Sequence, residues 1–154
     1  MDDELLIGHL RKFHVDANTS NFNVLDFVSA FGGPLYALAY SKLFWPDFVE
    51  FEGMIFLKEN VEDEEDRSRI RLALAKFPSL KDVEQSFNQF TVPDSFFSAG
   101  LGTTSHDENS ELAARIAEMW KARLARLFPD RKCIVELEGP EENGEGPTII
   151  VYQA

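Results

Sequence analysis

The chain is 154 residues long, with 44% hydrophobic and 27% charged side chains, a balance that suits one folded domain with its own core and excludes a disordered or fibrous chain. Acids outnumber bases by 27 to 15, giving a net charge of −12, and segments 1–58, 59–100 and 101–154 carry equal shares of the excess. A negative field spread that evenly repels phosphate backbones, which argues against nucleic acid as a partner; it keeps the chain soluble and steers a basic protein inward.

Leu5, Leu6, His9, Leu10 and Phe13 recur at helical spacing behind Asp2 or Asp3 as a cap, which predicts a short amphipathic helix. A polar, turn-like stretch from Val15 to Phe22 follows. The second predicted helix starts at Asn23, turns Val24, Leu25, Phe27, Val28 and Phe31 inward, and ends at Gly32-Gly33, read as a left-handed stop. Pro34 opens a third helix in its favoured first-turn position, and Pro46 closes it for want of an amide donor. From Phe48 to Leu57 the period shortens: Val49, Phe51 and Met54 to Leu57 are strand formers around Gly53, as one strand or a tight hairpin. Acids at 62–66 precede Arg67, Arg69 and Arg71, the order that complements a helix dipole, so a helix is expected over about 63–77. Ser79-Leu80-Lys81-Asp82 is a capping pattern for a short helix through Val83 and Phe87.

Residues 91–106 have no period. The strongest helical signal covers about 108–128, with Leu112, Ile116, Met119, Trp120, Leu124, Leu127 and Phe128 inward. A β-hairpin ends the chain, Cys133 to Leu137 against Thr148 to Tyr152, joined by a long acidic, glycine-rich loop. These elements predict a helix-rich α+β fold, a single domain over 1–154, packed on a small antiparallel sheet that includes the C-terminal hairpin.

Chemistry-bearing patterns are sparse. Cys133 alternates to the buried face with Val135 and Leu137, where a thiol is inert, and as the one cysteine it forms no internal disulfide, which fits a reducing compartment. Gly100-Leu101-Gly102-Thr103-Thr104 lacks the lysine and spacing of a phosphate loop. His9 and His14 miss a common helical face, His106-Asp107-Glu108 reads as a solvated first turn, and Glu136 with Glu138 forms a solvent-facing row; no metal ligand set, catalytic group or cofactor is expected. The acidic start and the lack of an apolar run near ~20 residues argue against a leader or a membrane span, so a cytoplasmic location is expected.

Three features resist a purely structural explanation. Arg123 falls in the apolar arc of its helix, so it must snorkel past the edge of the core, the expected outcome, or pair with a buried carboxylate. Tyr36, Tyr40, Phe44, Trp45 and Phe48 bracket Pro46 at a spacing that suits a core and also an aromatic pocket. Phe96-Phe97 stands in a polar, aperiodic stretch of a length that compact domains keep for function. Tyr40, Trp45, Phe96, Phe97 and Arg123 are therefore the candidate partner or ligand contacts. The leading expectation is a non-enzymatic interaction protein, of immunity or regulatory type, that binds a basic protein. Its rival is a small-molecule or hydrolytic domain with a pocket lined by Tyr40, Trp45 and Arg123. A homodimer through an edge strand is the third reading.

Overall fold

The computed structural model describes residues 23–92, 106–139 and 146–154. The predicted N-terminal helix and the Phe96-Phe97 stretch lie outside them. The fold is α+β, as the periodicities imply, and the chain divides into two compact units, Met1–Ser41 and Lys42–Ala154.

In the first unit, helix α1 (Val24–Phe31) opens on Asn23, whose side chain accepts from the Leu25 and Asp26 amides while Asp26 returns a bond to the Asn23 amide. The stop is not left-handed: Gly32 is extended at φ −77°. Glycine is required there by proximity, since a Cβ would lie 2.4 Å from the Val28 carbonyl oxygen that the Gly32 amide bonds. Pro34 begins α2 (Pro34–Phe44), which runs across the boundary between the units. Tyr36 and Tyr40 are exposed on it, against the expectation that the whole aromatic series is core; Phe48, farther along, is buried.

The second unit starts from a hairpin. Strands β1 (Phe48–Phe51) and β2 (Met54–Leu57) are joined by Glu52 and Gly53, both at positive φ (53° and 79°), the backbone that a two-residue turn between twisted strands needs. After a 3-10 turn (Lys58–Val61), α3 (Glu64–Leu74) is capped by Asp63 and α4 (Leu80–Phe87) by Ser79, each cap side chain accepting the amide three residues on. Strand β3 (Gln89–Thr91), the long helix α5 (His106–Leu127), β4 (Cys133–Glu138) and β5 (Thr148–Gln153) complete the unit, with sheet order β3-β5-β4, all antiparallel.

Two cores result. In one, α5 lays Ala113, Ile116, Ala117, Trp120 and Leu124 on Val135, Ile149 and Val151 of the sheet and on Phe48 and Ile55 of the hairpin. The other joins Met54 and Phe56 of β2 to Val61, Ile70, Ala73 and Val83. Leu127 and Leu137, expected inside, are exposed, and so is Met119. Position 119 falls at the margin of the buried arc, Leu127 is the last residue of α5, and Leu137 is the last but one of β4.

Between the two sheets stand two polar side chains one helical turn apart on α4. Asn88, the C-cap, accepts from the Leu57 amide and donates to the Ile55 and Val151 carbonyls; Glu84 accepts from the Ile55 and Gln153 amides and from the Gln153 side chain, all at 2.7–3.2 Å. They occupy the row that β3 would fill if it continued, because the Asn88 carbonyl accepts the Val151 amide in ladder register just before β3 begins. Side chains thus do what a strand would do, and the hairpin is hydrogen-bonded to β5 without pairing with it. Both residues are fully buried, and their bonds to Ile55 and to the Val151 carbonyl satisfy groups that would otherwise be stranded away from water.

Candidate functional site

The site is built where the chain leaves α2. The Trp120 indole N–H on α5 donates to the Leu43 carbonyl at 2.8 Å, and the ring meets Phe48 edge-on and Phe90 at a tilt. Three residues along, Arg123 donates from Nε to the Pro46 carbonyl at 3.0 Å and from the guanidinium to Asp47 at 2.8 Å, and it lies 5.5 Å over the Trp45 ring. The guanidinium bond to Asp47, then the charge of Lys42 at 3.6 Å, hold the Asp47 carboxyl below its ordinary value of 3.8. Segment 42–47 is clamped onto α5 by these bonds, and beside the clamp a cleft of about 300 Å³ opens. Leu43, Pro46, Leu57, Phe90 and Trp120 make it apolar, and Lys42, Glu59, Asn60 and Gln89 supply its polar edge.

Next to Glu59 comes the acidic run. It is not uniform: Asp63 is spent capping α3, Glu64 bonds Arg71 at 2.6 Å, and Asp66 pairs with Arg69 at 3.6 Å. Arg71 also reaches Glu52 and, with Arg67, lies against the Phe51 ring. Glu59, Glu62 and Glu65 enter no ion pair among the described residues. Elsewhere Arg115 and Arg131 are engaged as well, with Glu111 and Glu118 and with Glu50. The guanidinium groups of this unit are largely consumed internally, which leaves the exposed carboxylates of Glu59, Glu62 and Glu65 without an ion-pair partner among the described residues.

Of the five candidate contacts, Trp45 and Arg123 come together, but as parts of the clamp. Arg123 is paired; it does not snorkel, because Asp47 lies beside the Pro46 carbonyl it already bonds. Tyr40 belongs to the first unit and is exposed. Phe96 and Phe97 fall outside the described residues. Sequence reasoning missed Phe90, Leu57 and Glu59 as neighbours of Trp120, since nothing in their spacing links β2, β3 and α5. It also missed Glu84 and Asn88, which lie beyond the arc of Val83 and Phe87 on the helical wheel and whose partners on β2 and β5 no local period marks.

Cys133 is half-buried against the core, and burial, reinforced by Glu84, raises its thiol above the ordinary 9.0, so it stays protonated near neutrality. Glu136 accepts the Tyr152 hydroxyl at 2.9 Å. Among the described residues no three histidine, cysteine or carboxylate side chains converge as metal ligands, and no helix is long and apolar enough to cross a membrane. The chain matches no family model, no curated protein and no solved structure.

Proposed function

We propose that the chain is a non-enzymatic interaction module that takes a basic, partly apolar segment of a protein partner at the Trp120 cleft. One observation carries the reading: an apolar cleft of about 300 Å³ is edged by Glu59, and exposed carboxylates at Glu62 and Glu65 follow without an ion-pair partner among the described residues. An apolar anchor in the cleft supplies area and residence time, and the carboxylates supply attraction and orientation. The net charge of −12 works in the same sense over longer range. Basic peptides carrying one aromatic or leucine anchor test it by titration, with acidic peptides of the same pattern as controls. Basic peptides are expected to bind, with association falling steeply between low and physiological salt and reduced by Glu59→Lys or Glu62→Lys. Equal binding of acidic and basic peptides, or binding indifferent to salt and to both reversals, overturns it. The cleft's apolar lining also suits a small molecule, the second reading; an uncharged aromatic probe that binds without salt dependence, while basic peptides fail, favours that one.

A further inference from the structure

Strand β4 is an edge strand among the described residues. Its register with β5 pairs Cys133 with Gln153 through Glu138 with Thr148, and the Ala154 amide donates to the Lys132 carbonyl. Antiparallel ladders alternate direction residue by residue, so the amides and carbonyls of Lys132, Ile134, Glu136 and Glu138 face β5. Those of Cys133, Val135 and Leu137 face away. The Cys133 amide turns back to the Arg131 carbonyl, and no strand among the described residues pairs with the rest of that edge. An edge of this length, unpaired among the described residues and uninterrupted by proline, is a template for another strand.

We propose that this edge pairs with the β4 edge of a second copy of the chain, antiparallel about a two-fold axis through Val135. Charge selects the occupant, and charge with strand length selects the register. Centred on Val135, the pairing sets Lys132 opposite the partner's Glu138, and by symmetry Glu138 opposite the partner's Lys132. Ile134 and Glu136 face each other across the axis, and exposed Leu137 comes opposite the partner's Cys133. The two neighbouring registers that keep outward amides on outward carbonyls are worse. A centre at Ile134 sets Lys132 against Glu136 but runs Glu138 past the strand toward the turn that precedes Lys132, which shortens the pairing, and a centre at Glu136 sets that carboxylate against its own copy. Directly opposed strand residues lie about 5 Å apart, within a Debye length of about 8 Å at physiological salt, so the Lys132–Glu138 pairs persist while the repulsion between two acidic chains is screened. The pairing buries little surface, so association is weak and concentration-dependent.

Sedimentation equilibrium of the full chain at physiological salt, from about 10 µM to about 1 mM, is the test. A monomer–dimer equilibrium is expected in that range. Lys132→Glu and Glu138→Lys each set like charges opposite one another twice and weaken association by roughly five- to tenfold. The double variant restores both pairs and the dimer. Leu137→Pro removes an outward amide without touching the ladder to β5 and abolishes the dimer; circular dichroism checks that the variant folds, and if it does not, the charge exchange decides alone. A monomer throughout, a dimer indifferent to the single reversals, or a double variant that stays monomeric overturns the proposal.

Discussion

At the scale of single residues, Glu84 and Asn88 carry more of the architecture than any apolar side chain of their helix. Each contact they make is to a backbone group of β2 or β5, or to Gln153, and none is to an opposite charge. Asn88→Ala leaves the Leu57 amide and two carbonyls unserved in the interior, and Glu84→Gln turns an amide N–H toward donors that needed an oxygen. Buried groups left unpaired cost about 1–3 kcal/mol each, so either change is expected to lower the unfolding free energy by at least about 2 kcal/mol in urea titration. A variant that melts with the parent removes the side-chain row from the account. Arg123 invites a different comparison. Its partner Asp47 is partly exposed, so removing that acid does not strand a buried charge, whereas Arg123→Met leaves the buried Pro46 carbonyl without its donor. Arg123→Met is expected to cost about 1–3 kcal/mol and to be the worse of the two losses, and an Asp47→Ala variant less stable than Arg123→Met reverses that reading.

Among the elements, α5 dominates because one face of it builds the larger core. Trp120 is 1% exposed, meets two aromatic rings and holds the Leu43 carbonyl, so Trp120→Ala removes packing and a bond together. A loss of about 3–5 kcal/mol is expected in thermal or urea melts, and an unchanged midpoint would mean that the helix face is misassigned. That face, the helix start at Asn23 and the cap at Ser79 were legible in the sequence because each depends on neighbours within about four residues, and the C-terminal hairpin because two strand-forming runs meet across one glycine-rich loop. The Glu52-Gly53 turn was half legible, since one glycine allows a hairpin but does not demand it. What stayed hidden depends on chain segments far apart in sequence. Asp47 meets Arg123 across 76 residues and Glu84 meets Gln153 across 69, and no local period encodes either. The cleft is of the same kind, drawing its walls from α2, β2, β3 and α5. Leu127 and Leu137 mark the opposite error: apolar residues at the end of an element satisfy the period without reaching the core.

Across the molecule, the second unit binds its two cores through α4, so residues 42–154 should unfold as one cooperative step, and the titrating groups set the pH window in which they stay folded. Asp47 is held below its ordinary 3.8 by the guanidinium of Arg123 and by Lys42. A lowered carboxyl contributes stability that is present above the ordinary value and disappears as pH falls through the folded one. Tyr152 and Cys133 act at the other limit. The hydroxyl of Tyr152 donates to Glu136, which, with burial, raises it above 10.0, and burial with the nearby Glu84 raises Cys133 above 9.0. For raised groups the sign is opposite: their contribution is complete below the ordinary values and is lost as pH rises through the folded ones, because the unfolded chain releases those protons earlier. Urea midpoints are therefore expected to form a plateau from about pH 5 to about pH 8.5, with an acid limb below it and an alkaline limb above. Asp47→Asn should flatten the acid limb and leave the alkaline one. Tyr152→Phe should do the reverse, because phenylalanine keeps the ring under Lys81 but has no proton to release. If both variants trace the parent's profile, the hydrogen bonds of Arg123 and Glu136 are not what acid and alkali undo.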